Sequence, residues 1–514
     1  MKYPIGIQDF REIRTDGYVY VDKTQHIHRV LDSGKYFFLS RPRRFGKSLL
    51  LATMNELYCG SKELFEGLWV YDKWDWEANK RPVVWLKFAS QGMKSMGLVP
   101  GIHHMLDAEA ARLGVILEAV DYSQKFKQLL QLVSLKYDRK VVLLVDEHDK
   151  PIIDFLDDVP QAETNRDVLK SFYSILKDSD ALLEKIFITG VSAFSRVSIF
   201  SDLNHLTNLT IKQVAHTLLG ITQAELQRYF TSTLQSIANK RKLTLEEISD
   251  QTARWYNGYS WGGEERVYNP FSLLSFLNSG EFHNFWFETG TPTFLVKEMK
   301  KQHYYNVQRT RTTENRLTAF DVAQLNPITV LFQTGYLTIV EYVPEDRLYT
   351  LDYPNMEVRQ SLEQNLLSDY LNFPLEDPQV RVVNLRDALR HQDLNEVFEI
   401  LNATLAGIPY DLWHKEDEHF FHALIHLTFS LLGTYIRSEV HTARGRCDAL
   451  VETADHIYAF EFKLDKSAAE ALQQIHDKGY LAPYADSHKK IIAVGANFSS
   501  ETKQIEGWLV EQQA

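Results

Sequence analysis

The sequence predicts an α/β protein of several domains, and two patterns of secondary structure carry this prediction. In the first 200 residues, four short apolar runs lie between long segments with helical spacing, at 36–39, 82–86, 141–145 and 185–190. Strands that alternate with helices in this way form a parallel sheet with crossover helices. The last hundred residues have another order, in which a helix precedes three short strands, a second helix and a further strand. We therefore expect two different α/β domains, one toward each end of the chain.

Composition and net charge exclude several classes of protein. A hydrophobic content of 44% and a charged content of 24% are typical of an ordered globular chain. Cys59 and Cys447 lie far apart and form no CxxC pair, which excludes a cysteine zinc site and is typical of a reducing compartment. We find neither a signal-peptide pattern nor an apolar segment long enough for a membrane span, so we expect a cytoplasmic protein without membrane contact. The net charge of −12 means that any contact with nucleic acid is local.

The chain is longer than one hydrophobic core usually allows, so we divide its 514 residues into five segments. After the first sheet, helical spacing with Gly and aromatic punctuation predicts a lid-like subdomain. A helix, hairpin and helix pattern at 327–367 predicts a winged-helix-like element. The expected segments are a sheet domain at 1–217, a lid-like subdomain at 218–292, a winged-helix-like segment at 293–375, a helical connector at 376–412 and the second α/β domain at 413–514.

Residues 41–48 match the phosphate-binding loop GxxxxGK[ST] except at the first position, where Arg41 replaces glycine. The match lies between a predicted strand and a predicted helix, where unpaired backbone N–H groups and the helix dipole bind phosphates. Lys47 would contact the β- and γ-phosphates of ATP, and Ser48 would hold Mg²⁺. The alternative is a solvated basic turn before a helix. The residues expected to bind the nucleotide from this loop are Arg43, Arg44, Gly46, Lys47 and Ser48, with further positive charge from Arg41 beside them.

A pair of acids, Asp146 and Glu147, follows the apolar run at 141–145 and supports the nucleotide site. In this position after a buried strand, Asp146 would bind Mg²⁺ through water, and Glu147 would polarise the water that attacks ATP. A strand that runs into a solvent-exposed turn has the same local pattern. The loop and the acids in the expected order together predict nucleotide binding.

Hydrolysis is a separate prediction, because many proteins with this loop bind nucleotide and switch without fast turnover. Thr189 or Ser192, after the next predicted strand, would sense the γ-phosphate, and Arg196 is a candidate arginine finger. The alternative for the two hydroxyls is a buried group that caps a turn. Residues 146–149 also resemble a helicase box, but we find no further helicase motif.

A second constellation of charges lies nearer the C-terminus, at Asp448, Glu461 and Lys463. Side chains alternate along a strand, so Glu461 and Lys463 share one face, and a hairpin neighbour can bring Asp448 to it. Two carboxylates can bind Mg²⁺ or Mn²⁺, which activates water, and a lysine beside them stabilises charge in phosphodiester cleavage. The alternative is an exposed, charged strand edge. The residues expected to complete this site are Glu439 and Glu418 as metal ligands and Gln474 as the group that steadies water or substrate.

Short stretches along nearly the whole chain carry a resemblance to a known family: 4–7, 9–10, 20–24, 41–48, 144–151, 189–192, 199–201, 256–259, 268–272, 332–338 and 353–358. By these stretches the chain resembles the AAA-ATPase-like family of bacterial proteins, and its C-terminal part resembles the PD-(D/E)xK nuclease domain that accompanies it. The resemblance implies a P-loop AAA-like ATPase with a helical lid and a winged-helix-like segment, followed by a restriction-endonuclease-like α/β domain.

Three positions can be compared with what the resemblance implies. Arg41 agrees with the family, whose members lack the first glycine of the loop. His148 stands where relatives usually carry tyrosine, which would alter packing on the base side of the nucleotide. Ala193 stands where they often carry lysine, which removes a positive charge near the γ-phosphate.

The sequence thus predicts an ATP-regulated, Mg²⁺-dependent nuclease that acts on nucleic acid, with DNA favoured over RNA, in defence or DNA processing. A different class stays open, which is a nucleotide-switched signalling or assembly protein whose nuclease-like domain is only a binding module. Residues 416–514 hold nine Lys and Arg against fifteen Asp and Glu, and this acidic balance favours the second class. A helicase-like motor would require strand separation. Assembly into a homo-oligomer is compatible with any of these classes.

Overall fold

The computed structural model describes most of the chain, which divides into two compact units. The first unit comprises Met1–Gly290 and Gln308–Val358, and the second comprises Thr291–Val307 and Arg359–Ala514. The described residues are 1–90, 93–192, 199–200, 206–286, 295–296, 298–299, 304, 306–318, 326–371, 378–406, 418–433, 437–439 and 447–513. Within these ranges, no helix is long and apolar enough to cross a membrane.

The first unit contains a parallel sheet of five strands: β1 (Tyr36–Ser40), β2 (Val83–Lys87), β3 (Val141–Asp146), β4 (Leu183–Gly190) and β5 (Thr207–Asn208). Their order in the sheet is β2–β3–β4–β1–β5. Every residue of β1 and β3 is buried, which explains why both strands have unbroken apolar sequences. The parallel sheet and four of its strands confirm the sequence prediction. The sequence pattern does not reveal β5, because two residues carry no periodicity.

This strand order brings three segments of the chain to one edge of the sheet. β4 lies between β1 and β3, so the segments that follow these three parallel strands leave at the same carboxyl-terminal edge. Ligands of open α/β sheets bind at this edge. The loop at 41–46, the acids after Val145 and the residues after Gly190 are therefore neighbours.

Helices connect these strands and continue through the region predicted to be lid-like. They are α1 (Phe10–Thr15), α2 (Thr24–Asp32), α3 (Lys47–Cys59), α4 (Met93–Met96), α5 (Leu98–Leu113), α6 (Tyr122–Tyr137), α7 (Lys150–Ile153), α8 (Val159–Asp178), α9 (Gln223–Arg241), α10 (Leu245–Tyr256), α11 (Pro270–Ser279), α12 (Glu314–Thr318) and α13 (Pro327–Thr334). Two small antiparallel sheets accompany them. One pairs β6 (Ile221–Thr222) with β7 (Val267–Tyr268), and the other joins β8 (Thr310–Thr313), β9 (Thr338–Val343) and β10 (Leu348–Asp352). The predicted hairpin corresponds to β9 and β10, while the lid and winged-helix assignments stay predictions.

The segment that precedes α2 is tied to α9 by buried polar contacts. The Lys23 ammonium donates a hydrogen bond to Glu225 at 2.7 Å and another to the carbonyl of Thr217 at 3.0 Å. Glu225 also accepts from the backbone N–H of Thr222, which completes a capping box at the start of α9. These contacts place the N-terminal segment beside helix α9 within the first unit.

The second unit contains a mixed sheet of five strands: β11 (Arg437–Glu439), β12 (Ala449–Glu452), β13 (His456–Leu464), β14 (Lys490–Ser499) and β15 (Gln504–Gln513). The sheet has this same order, and only β13 and β14 run parallel. Its helices are the part of α14 (Met356–Leu371) from Arg359 onward, α15 (Pro378–Arg390), α16 (Leu394–Ala406), α17 (Glu418–Leu432) and α18 (Ala468–Lys478). The predicted order of helix, three strands, helix and strand is present, and β15 extends it by one strand.

Candidate functional site

The loop at 41–46 joins β1 to α3 and places a lysine at the start of the helix. Gly46 has a φ of 89°, in the left-handed region that glycine adopts without steric cost, and Lys47 begins α3. The Lys47 ammonium donates to the carbonyl oxygens of Arg41 at 2.8 Å and of Pro42 at 2.9 Å. Burial lowers the pKa of Lys47, and the carboxylate of Glu147 opposes that shift. A cation is thus held inside the turn of the loop.

A cavity of about 310 Å³ opens above this loop. It is lined from the loop side by Arg43, Arg44, Gly46, Lys47 and Ser48, and from the sheet side by Glu147, Asp149 and Lys150. The Arg44 guanidinium lies 4.7 Å from the ring centre of Phe271, so its position is supported by a cation–π contact. Positive side chains and a helix N-terminus on one wall suit a chain of phosphates.

An adjoining cavity of about 230 Å³ holds the oxygen ligands expected for Mg²⁺. Ser48 and Asp146 both line it, and Gln8 lines both cavities. Asp146 accepts a hydrogen bond from the Thr189 hydroxyl at 2.8 Å, which orients its carboxylate. A hydroxyl and a carboxylate facing one space fit Mg²⁺, which binds oxygen ligands and keeps several waters.

Glu147 lines the phosphate cavity in an unusual backbone conformation. Its φ is 51°, in the left-handed region that is uncommon for residues other than glycine and is concentrated at functional sites. Burial raises the pKa of its carboxyl, and Lys47 opposes this shift. A carboxylate with a raised pKa beside the phosphate cavity has the properties of a general base.

The two hydroxyls considered as γ-phosphate sensors both contact carboxylates in the structure. Thr189 donates to Asp146, as described above. Ser192 donates to Asp149 through its hydroxyl at 2.6 Å and through its backbone N–H at 2.6 Å. Both residues are buried. This geometry favours the alternative of buried hydroxyls that position neighbouring groups. Arg196 and Ala193 lie outside the described residues.

Asp149 is a site residue that sequence reasoning missed. One of its carboxylate oxygens accepts three hydrogen bonds, from the N–H and hydroxyl of Ser192 and from the N–H of Val191. The other oxygen has no hydrogen-bond partner among the described residues. The only signal in the sequence was its membership of the 146–149 stretch, which gives no indication of the partner segment.

His148 lies in the core of the sheet domain. It is fully buried, its Nδ1 is 3.0 Å from the carbonyl oxygen of Thr189, and its ring packs on Phe38 and Phe200 at 5.3 and 5.5 Å between centres. It lines neither of the two cavities described above. These contacts are with the core of the sheet domain, and an effect of His148 on packing at the base side of the nucleotide stays a prediction.

A third, apolar cavity of about 100 Å³ lies beside Gly46. Its lining comes from three parts of the first unit: Pro4, Val19 and Val21 from the N-terminal segment, Phe45 and Leu49 beside the loop, and Ile221, Pro270 and Leu274 from the helical region. Sequence reasoning did not find this cavity, because its walls are far apart in the chain. Its place next to the phosphate loop and its apolar walls suit the base of a nucleotide.

In the second unit, the structure brings the predicted acids and the lysine together. Glu461 and Lys463 lie on the same face of β13, with the Lys463 ammonium 3.0 Å from one oxygen of Glu461. Asp448 precedes β12 and accepts a hydrogen bond of 2.7 Å from the backbone N–H of Phe462. Gln474 of α18 donates to the same Glu461 oxygen as the lysine. The alternation of side chains along β13 thus puts Glu461 and Lys463 on one face, as the sequence predicts.

A glycine allows α18 to approach this site closely. Gly495 of β14 is the partner of Glu461 in the parallel ladder, and a Cβ there would lie 2.4 Å from the carbonyl oxygen of Ala468. The missing side chain lets the helix lie directly on the sheet, which brings Gln474 to Glu461. The Tyr480 hydroxyl lies 3.5 Å from the Gln474 amide nitrogen, and burial raises the pKa of Tyr480. Tyr480 is a second site residue that sequence reasoning missed.

The burial and charge of Glu461 are suited to binding a divalent cation. Its side chain is only 4% exposed, and its second oxygen has no hydrogen-bond partner among the described residues. Burial and the neighbouring Asp448 raise the pKa of Glu461 to about 7, against the opposing effect of Lys463. A divalent cation would pair with the free oxygen and lower this pKa.

Glu439 and Glu418 are the remaining proposed metal ligands. Glu439 pairs with Leu450 between β11 and β12, and Glu418 begins α17, but both side chains lie outside the described parts. Within the described ranges, no group of three His, Cys, Asp or Glu side chains is arranged for a metal ion. The described part of the site is therefore a pair of acids with a lysine.

We expect the stability of the metal-free chain to depend on Glu461 and pH. The pKa of Glu461 rises from 4.5 to about 7 on folding, so the folded state binds more protons between these values. The free energy of unfolding then falls as the pH rises through this window. Glu461→Gln removes the charge and keeps an oxygen that can accept from Lys463. In a chelating buffer, its thermal midpoint should exceed that of the parent above the window and match it below the window. An equal difference at both ends would contradict this expectation.

Comparisons with known proteins agree with both halves of this description. The family described as "Predicted AAA-ATPase" matches residues 4–200, and the family described as "PD-(D/E)XK nuclease superfamily" matches residues 416–508. A relative from Azotobacter chroococcum mcd 1, an uncharacterized protein in the vnfD 5' region, is 37% identical over 523 residues. The match covers 99% of this chain and 99% of the relative.

Proposed function

Because the chain belongs to the AAA-ATPase-like family and carries a domain of the PD-(D/E)XK nuclease superfamily, we propose that it binds and hydrolyses ATP and cleaves nucleic acid. The observation that carries the nuclease proposal is the buried carboxylate of Glu461, which lies beside Lys463 and Asp448 and has one oxygen without a hydrogen-bond partner among the described residues. The cavity over the Lys47 loop supports the ATPase proposal.

For the nucleotide, the phosphates would occupy the cavity above the loop and the base would occupy the apolar cavity beside Gly46. Ser48 and Asp146 would hold Mg²⁺, which supplies charge neutralisation for the phosphates. Glu147 would accept a proton from the attacking water. The new bond joins the water oxygen to the γ-phosphorus, and the bond from that phosphorus to the β–γ bridging oxygen breaks. In this proposal, Thr189 acts through Asp146, and Ser192 acts through Asp149.

For the nuclease, Asp448 and Glu461 would hold Mg²⁺ or Mn²⁺, with Glu439 and Glu418 as further proposed ligands. The ion supplies Lewis-acid activation of water and stabilisation of the departing oxygen. Water adds across one phosphodiester bond, so one P–O bond forms and one P–O bond to a sugar oxygen breaks. Lys463 would stabilise the negative charge that develops on the phosphate, and Gln474 would keep Glu461 in place.

The biological setting is proposed in general terms. Nucleotide binding would regulate how the C-terminal site meets nucleic acid, with DNA favoured over RNA, in defence or DNA processing. The alternative, a nucleotide-switched signalling or assembly protein, is supported by the acidic balance of residues 416–514, which disfavours a polyanion. The five-segment division, a cytoplasmic location and a homo-oligomer stay predictions.

The test of this proposal uses the purified full-length chain with plasmid, linear duplex, single-stranded DNA and RNA. Each substrate is incubated with Mg²⁺ or Mn²⁺, with and without ATP, while ATP binding and phosphate release are measured in parallel. We expect metal-dependent cleavage of at least one DNA substrate, at a rate that ATP changes. ATP binding without cleavage of any substrate would sink the nuclease proposal and favour the nucleotide switch.

A further inference from the structure

Arg41 occupies the loop position where the phosphate-loop pattern has glycine, and its side chain is turned away from the phosphate cavity. It is 1% exposed and is among the largest fully buried side chains of the described part of the chain. One terminal nitrogen donates to the carbonyl oxygens of Ser40 and Thr210, both at 2.8 Å. The other donates to the carbonyl oxygen of Ala215 at 2.7 Å. The guanidinium therefore clamps the end of β1 to the segment that follows β5.

The same guanidinium packs on an aromatic residue that also supports the loop. Its central carbon lies 3.8 Å from the ring centre of Trp261, which is itself buried. Trp261 meets the ring of Phe45 edge-on at 5.5 Å, and Phe45 is the loop residue before Gly46. Both ends of the loop, at Arg41 and at Phe45, are thus held through Trp261.

The backbone of Arg41 connects this clamp to the lysine of the loop. Its N–H donates to the carbonyl of Gly190 at 3.1 Å, and its own carbonyl accepts from the Lys47 ammonium at 2.8 Å. Any shift of residue 41 would move the acceptor that holds the Lys47 ammonium. The side chain of Arg41 restrains such a shift, together with the hydrogen bond from its backbone N–H.

Burying this charged guanidinium costs free energy, which is unusual for a side chain with only a structural role. A buried cation is usually paired with a carboxylate, but within the described part of the chain the Arg41 terminal nitrogens donate only to carbonyl oxygens. Its Nε has no hydrogen-bond partner among the described residues. The planar fork of arginine suits three carbonyls around one plane, and lysine has no such fork.

We propose that Arg41 is a positioning residue of the nucleotide site, whose guanidinium holds the phosphate loop so that the Lys47 ammonium stays at the phosphate position. This inference rests on the nucleotide binding proposed above. For glycine at position 41, this inference predicts the opposite of what the phosphate-loop pattern predicts. Arg41→Gly restores the glycine of the pattern, yet it weakens nucleotide binding.

The experiment measures the affinity of the full-length chain for Mg²⁺–ATP by calorimetry, below the unfolding midpoint of each variant. We expect Arg41→Gly to bind at least about tenfold more weakly than the parent, since it loses charge-assisted hydrogen bonds. Free guanidinium ion, added at low millimolar concentration, should restore part of the affinity by filling the vacated space. Arg41→Lys keeps the charge without the fork, and its affinity should also fall. If Arg41→Gly does not fold, Arg41→Lys decides the question.

Arg14→Ala is the matched control, because Arg14 also donates to two carbonyls, those of Leu64 at 2.7 Å and Glu66 at 2.6 Å. It should lower the unfolding midpoint without a change in ATP affinity or a response to guanidinium ion. Parent-like affinity in Arg41→Gly or Arg41→Lys would overturn the inference, as would an equal loss in Arg14→Ala. No ATP binding by the parent would instead overturn the proposed nucleotide function itself.

Discussion

Replacing Lys47 with alanine is expected to lower the affinity for Mg²⁺–ATP by at least about a hundredfold. The Lys47 ammonium is buried inside the loop, where two carbonyl oxygens are its hydrogen-bond partners among the described residues, and it lines the phosphate cavity. ATP would bring phosphate oxygens to this cation, and their charge-assisted hydrogen bonds would be lost in the variant. Titration calorimetry of the folded variant measures the loss directly.

Lys185→Ala provides a matched control for this experiment. The Lys185 ammonium also donates to two backbone carbonyls, those of Leu31 and Gly34, and burial also lowers its pKa. It lies near the start of β4, at the end of the sheet opposite the loop. We expect this variant to lose stability and keep its affinity for ATP. An Lys47→Ala variant that binds ATP as the parent does would place the phosphates elsewhere.

The second large effect is expected at the C-terminal site, where Lys463→Ala should reduce metal-dependent cleavage by about 100- to 1,000-fold. The Lys463 ammonium lies 3.0 Å from a carboxylate oxygen of Glu461, and Asp448 accepts a hydrogen bond from the backbone N–H of Phe462 between them. Removing Lys463 takes away the positive side chain that we propose to stabilise the developing charge on the phosphate. A quantitative cleavage assay on the preferred substrate, at saturating metal, measures the effect, while ATP affinity should stay unchanged.

Lys489→Ala is the control for Lys463→Ala. Lys489, just before β14, forms the same kind of pair with a residue of the same sheet, since its ammonium lies 2.8 Å from Glu452 of β12, and both residues are outside the proposed site. Its loss should leave cleavage within about twofold of the parent, as is usual for a partly exposed ion pair. Equal losses in both variants would indicate a general effect on the fold.

The two lysine variants together separate the proposed functions. A nuclease regulated by ATP needs both Lys47 and Lys463, so either substitution should abolish its biological effect. A nucleotide-switched binding module needs only Lys47. A biological effect that survives Lys463→Ala while ATP binding is intact would therefore favour the second class.

The local features of both sites were predictable from the sequence, because they depend on short-range geometry. A helix N-terminus after a strand presents its N–H groups at the loop, so residues 41–48 indicated the phosphate site. Asp146 was recognisable because a buried parallel strand has an unbroken apolar run before its polar end. Alternation along β13 was sufficient to put Glu461 and Lys463 on one face.

Tertiary structure decided the groups whose partners are distant in the chain. The side chain of Arg41 contacts Thr210 and Ala215, which lie about 170 residues later in the chain. Asp149 contacts Ser192 across 43 residues. Gln474 contacts Glu461 because Gly495, with no side chain, lets its helix lie close to the sheet. The periodicity of a segment determines which of its faces is buried, but it contains no information about which other segment covers that face. Strand order and side-chain packing supply that choice, and they bury Arg41, which the sequence predicted only as further positive charge beside the loop.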